Sequence, residues 1–143
     1  MDAKIFWVLI ETNDLGTDKC AVEAVAAGNI RIVKDIQSRR PNAKIVLNSM
    51  LPFLSRSGKR DEEIFESKDW QAASRFNHRL ECYAESTENV YFFNATHLFI
   101  SEDEPYEKYF EDRVHPSAAG SRCWSRAIVG TVLELINESN ESG

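Results

Sequence analysis

Apolar and polar positions along this chain fall into three rounds of strand followed by helix. Lys4-Ile5-Phe6-Trp7-Val8-Leu9-Ile10 carries six apolar residues in a row, mostly β-branched or aromatic, and predicts a strand buried on both faces. The chain then turns through the polar Glu11-Thr12-Asn13-Asp14 to Gly16. Apolar residues resume at helical spacing with Val22, Val25, Ala26, Ile30, Val33 and Ile36, predicting a helix from about Asp18 to Arg39 that Arg39-Arg40-Pro41 stops. A second strand, Ala43 to Asn48, ends at Ser49-Met50-Leu51-Pro52. The polar stretch from Phe53 to about Ser67 reads as a long loop, of the kind that shapes a substrate entrance.

A second helix is expected near Lys68 to Glu85, with Trp70, Ala73, Phe76, Leu80 and Tyr83 inward. A third strand, Asn89 to Phe93, feeds an acidic loop that reaches Asp112. The last helix is expected from Pro116 to about Asn137, with Trp124, Ala127, Ile128, Thr131, Leu135 and Ile136 inward, and residues 138–143 as a frayed tail. Strands alternating with helices imply an α/β fold on a parallel sheet with right-handed crossovers. Three strands make a thin sheet, and nothing in the chain is left to pair with the outer edge of the first. An exposed apolar edge favours self-association, and it leads us to expect a covering segment upstream.

With 143 residues, the chain is expected to form one domain over residues 1–137. A net charge of -6 with no basic stripe argues against a nucleic-acid surface. No apolar run approaches the length of a membrane span. The three cysteines, Cys20, Cys82 and Cys123, are too widely spaced for a disulfide framework or a zinc ribbon. Asn94-Ala95-Thr96, Asn137-Glu138-Ser139 and Asn140-Glu141-Ser142 match the glycosylation acceptor pattern, but no signal peptide follows Met1, and the compartment stays open.

The chemistry concentrates in Asp112-Arg113-Val114-His115-Pro116-Ser117. An Asp three residues ahead of a His can supply both a base and the group that orients it. The same pattern is also common helix-start chemistry, and in isolation it is more often a cap than a dyad. Asn13, at the carboxyl end of the first strand, stands where ligands sit in parallel sheets, and its amide can donate to an oxyanion or close an Asx turn. His78 and Cys82 share a helix face but are two groups only, so no metal site is expected. His97 reads as structural or exposed.

Taken in order, these residues resemble the SGNH, or GDSL-type, esterases and lipases. Glu11-Thr12-Asn13-Asp14 resembles that family's Gly-x-Asn-Asp block, and Arg39 to Leu47 followed by Leu51-Pro52 resembles its next helix-to-strand passage. Phe76-Asn77-His78-Arg79-Leu80 looks like its Asn-containing helix, and Asp112 to Ser117 with Gly120 resembles its closing Asp-x-x-His-Pro block. The resemblance implies a three-layer parallel sheet of flavodoxin-like type, here cut to about three strands with flanking helices. It implies hydrolysis of a small-molecule ester (a lipid, an acetylated sugar or similar) through an acyl-enzyme, without cofactor or metal. His115 would be the base, Asp112 its orienting partner and Asn13 the oxyanion donor.

Two departures from the family pattern stand out. The family's Gly-Asp-Ser block with the nucleophile, and its second block with an oxyanion-hole Gly, have no counterpart here. Glu11 also stands where the Asn-bearing block usually has Gly, and a carboxylate there would either crowd the site or disfavour a developing oxyanion by like charge. No nucleophile is identified. Ser49, Ser55, Ser57 and Ser117 are the internal candidates, and none lies in the strand-to-turn context that presents one. A catalytically inactive relative that binds an ester, a glycan or a partner protein is therefore the alternative.

Overall fold

The computed structural model describes residues 3–10, 19–52, 68–100, 106–112 and 114–141. The expected loop at 53–67, the Glu11–Asp14 block and the acidic run 101–105 lie outside the described residues. Contacts gather the chain into two compact units, residues 1–96 and 97–143.

The first unit holds three parallel strands in sequence order, β1 (Ile5–Val8), β2 (Lys44–Asn48) and β3 (Val90–Phe93), with helices α1 (Lys19–Arg39) and α2 (Lys68–Glu85) as crossovers. Pairing in register aligns Phe6, Ile45 and Val90 in one row and Val8, Leu47 and Phe92 in the next. Because side chains alternate along a strand, these two rows share one face. They form a core with Val22, Ala26 and Val33 of α1 and Ala73, Phe76 and Leu80 of α2. This arrangement is the expected α/β class.

The opposite face carries Trp7, Val46, Asn48 and Phe93. Trp7 donates its indole N–H to Asn48 Oδ1 at 3.0 Å and meets the Phe93 ring edge-on at 4.9 Å between centroids. A fully buried amide beside an indole is the polar exception in this sheet, and the two groups satisfy each other.

β1 departs from expectation. It is not buried on both faces: Ile5, Phe6 and Trp7 are only half-buried, and Leu9 and Ile10 are exposed beyond its end. The reason is position, since β1 is the edge strand and pairs only with β2 among the described residues. The strand buried on both faces is β2, where Ile45 to Asn48 are all inaccessible. β3 begins one residue later than expected because Asn89 adopts φ 60°, a left-handed conformation that Asn tolerates better than most residues. Its carbonyl still accepts the Ile45 N–H at 2.8 Å.

The chain beyond β2 is pinned by side chains. Asn77 Oδ1 accepts the Met50 N–H at 2.7 Å, and Thr96 donates its hydroxyl to the Met50 carbonyl at 2.9 Å. On α1, Asn29 is buried within the apolar stripe and donates to the carbonyls of Val25 and Ile10. It thereby ties the helix to the end of the edge strand.

The second unit is built on helix α3 (Ala118–Glu141). Phe99 and Phe110 are buried, and the Phe99 ring packs edge-on against Phe110 and Tyr109 at 5.2 and 5.9 Å between centroids. α3 starts two residues later than expected and continues through Glu141, so the expected frayed tail is helical for its first four residues. No Pro or Gly interrupts the chain between Gly130 and Gly143, which removes the usual reason to stop. Ile136, expected inward, is exposed, together with Val129 and Leu133. No helix among the described residues is long and apolar enough to cross a membrane.

Replacing Asn77 by Ala would leave the buried Met50 N–H without its acceptor. We expect a loss of about 1–3 kcal/mol in urea unfolding, with Asn77→Asp recovering part of it.

Candidate active site

The local fold around Asp112 begins with a clamp. Phe110 and Pro116 form an isolated antiparallel bridge, the Ser117 N–H donates to the Tyr109 carbonyl at 2.8 Å, and the Glu111 N–H donates to the His115 carbonyl at 2.9 Å. Glu111 and His115 are therefore tied together on a fixed base. Ser117 caps the helix that follows: its hydroxyl donates to the Lys108 carbonyl at 2.8 Å and accepts the Gly120 N–H at 3.1 Å. Gly120 is required by this closeness, since a Cβ at that position would run into the Tyr109 carbonyl oxygen.

With Ser117 as cap, the Asp112 carboxylate serves the loop instead. Its Oδ1 accepts the N–H groups of Val114 and His115 at 2.8 and 2.7 Å. Its Oδ2 lies 2.7 Å from His115 Nδ1. A proton on Nδ1 shared with this oxygen leaves Nε2 as the free ring nitrogen. The His115 and Asp112 side chains are 76% and 54% exposed, so the imidazole is open to an incoming group. Arg113 lies outside the described residues.

Mutual hydrogen bonding shifts both groups. The bond from His115, aided by the two backbone N–H groups, lowers the Asp112 pKa from 3.8 to about 2. The Asp112 bond and its negative charge raise that of His115 above 6.5. The linkage has a definite sign. The His115 contribution to stability is complete below 6.5 and is lost as pH rises through its folded value. The Asp112 contribution is complete above 3.8 and is lost as pH falls through about 2. The pair therefore supports the folded loop most between these limits, and its exposure makes that support sensitive to salt.

Other expected groups separate from this pair. Asn13 and Glu11 lie outside the described residues. Ser49 is fully buried, and its hydroxyl is engaged with Thr96 and the Met50 carbonyl. The Ser117 hydroxyl is taken up in the cap. Ser55 and Ser57 lie outside the described residues. The His78 ring comes within 3.6 Å of the Cys82 sulfur on an exposed helix face. Among the described residues no three His, Cys, Asp or Glu side chains gather as a metal site. Cys123 is half-buried, with its sulfur 3.8 Å from the Leu98 carbonyl.

The family described as GDSL-like lipase/acylhydrolase matches residues 1–123. A Bacteroides fragilis protein described as an acylhydrolase has a similar structure, with a TM-score of 0.68 and 20% identity over 92% of this chain and 62% of its own. A Streptococcus pneumoniae protein described as a platelet activating factor gives 0.66 and 22%, over 90% and 59%. A carbohydrate esterase family 3 protein from Talaromyces cellulolyticus gives 0.61 and 14%, over 94% and 59%. Identities this low speak to the fold alone. The chain spans about three fifths of the length of these structures. Comparison with curated proteins gives no match.

A proton-detected titration of the His115 ring should show a midpoint above 6.5, and Asp112→Asn should bring it back toward that value. A midpoint that ignores Asp112→Asn would mean the bond is not maintained in solution.

Proposed function

Since the chain belongs to the GDSL-like lipase/acylhydrolase family, we propose that it supplies the base, its orienting carboxylate and one oxyanion donor for hydrolysis of a carboxylic ester. The observation that carries this reading is the 2.7 Å contact between His115 Nδ1 and Asp112 Oδ2, made on a loop that the Ser117 cap and the Tyr109 carbonyl hold in place. His115 Nε2 takes the proton of a serine hydroxyl as that oxygen attacks the ester carbonyl. Asp112 keeps the proton on Nδ1 and stabilises the imidazolium that forms. The Asn13 amide donates to the tetrahedral oxyanion, a contact of about 3 kcal/mol in comparable sites. Collapse expels the alcohol, which takes the proton back from Nε2, and water then releases the acid by the same route.

The serine belongs to a Gly-Asp-Ser segment that these 143 residues do not contain. The engaged hydroxyls of Ser49 and Ser117 support this view. A second reading, a non-catalytic family member that binds an ester, a glycan or a partner protein, is favoured by Glu11 at the position where the family pattern carries Gly. A carboxylate beside the oxyanion would oppose the charge that develops there.

Fluorophosphonate labelling read by intact mass tests the proposal. The 143-residue chain alone should take up no stoichiometric adduct. A version joined to a Gly-Asp-Ser segment should label on that serine and hydrolyse an activated ester, with turnover falling about 10³-fold or more in His115→Ala. Because the base must be neutral, turnover should rise with pH through a midpoint above 6.5. A stoichiometric adduct on the chain alone would overturn the assignment of the nucleophile. A folded but unlabelled joined protein that gains labelling only with Glu11→Gly would favour the second reading.

A further inference from the structure

A groove of about 580 Å³ in the second unit is lined by Lys108, Arg122 and Arg126 together with Tyr109, Cys123 and two alanines, with no carboxylate among the described residues that line it. We propose that this groove binds a phosphate group, with Arg122 and Arg126 as its ligands and Lys108 on the same rim. The inference stands whether or not His115 acts as a base.

Three observations carry it. Arg122 and Arg126 lie one helical turn apart on α3, both exposed, and neither guanidinium has a carboxylate partner among the described residues. Like charges at this spacing oppose the helix that carries them, and an anion between them removes that opposition. Second, Lys108 is placed on the same groove: its Nζ lies 5.5 Å from the centre of the Tyr109 ring. The backbone beneath it is fixed, because the Lys108 and Tyr109 carbonyls accept the hydroxyl and N–H of Ser117.

Third, the chain as a whole carries a net charge of -6, so its overall charge does not favour anions. Three cations on one groove are therefore a local concentration of charge, not part of a general basic surface. Two guanidiniums offer forked donors that match phosphate oxygens, and a multiply charged phosphate answers two guanidiniums better than a single carboxylate does. The Tyr109 ring and the two alanine methyls give the groove an apolar wall for whatever the phosphate is attached to. That group is a soluble phosphoester or a phospholipid head.

The test is titration of the chain with inorganic phosphate at constant ionic strength, followed by amide shifts along residues 106–127. Saturable shifts around Arg122 and Arg126, weakened about tenfold or more in Arg122→Gln/Arg126→Gln, are expected. The His115 titration should be unchanged in that variant, which separates this site from the proposed catalytic pair. Arg126→Glu, a single exposed change, should weaken binding in the same direction. Absence of saturable shifts, or shifts that persist undiminished in both variants, would overturn the proposal. Co-sedimentation with phosphatidylcholine vesicles, with and without phosphatidic acid, identifies the source. Arginine-dependent binding only to the phosphatidic acid vesicles assigns a lipid head, and free phosphate binding without vesicle binding assigns a soluble phosphoester.

Discussion

The carboxylate of Asp112 is shared between backbone and side chain, and the geometry of the loop depends on that sharing. One oxygen accepts two successive backbone N–H groups and closes the turn, while the other meets the imidazole three residues on. Neither role excludes the other because the helix that follows takes its cap from Ser117. The Tyr109 carbonyl accepts the Ser117 N–H while lying where a Cβ of residue 120 would be, so the loop base and the first turn of α3 are held at one spot. An exposed ion pair on a free chain is worth little. Held at both ends, this one costs far less order to form, and its shifted titrations follow.

The first unit obeys a different constraint. β2 is covered on both faces and must satisfy its polar end internally, which Trp7, Thr96 and Asn77 do for Asn48, Ser49 and Met50. The chain leaving the central strand is thus fixed by side chains from β1, from α2 and from the segment after β3. β1, by contrast, offers an unpaired side among the described residues and carries half-buried aromatic side chains at the rim of the sheet.

Much of this was legible from periodicity. Runs of β-branched residues and helical spacing locate the three strands and three α-helices of the described residues, though not the short 3-10 turns at Thr96–Leu98 and Tyr106–Lys108, and α2 lies at its expected bounds of Lys68–Glu85. The differences have local causes. A run of six apolar residues looks the same on an edge as in the centre, so sequence does not separate the half-buried β1 from the fully buried β2. Asn29 hid within an apolar stripe, since its partners are carbonyls that sequence does not reveal. The aromatic cluster of Phe99, Tyr109 and Phe110 flanks an acidic stretch whose charge dominates any reading of composition. Asp112 and His115 were visible because their contact is local, three residues apart. Asn13 rests on its place at the end of the first strand and on resemblance, and its block lies outside the described residues.

The tautomer of His115 is the most direct test of the site. In ¹⁵N spectra of the ring taken above its titration midpoint, the bond to Asp112 requires a proton on Nδ1 and a bare Nε2. A neutral ring protonated on Nε2, or an even mixture of the two forms, would contradict the claim that this loop presents a base.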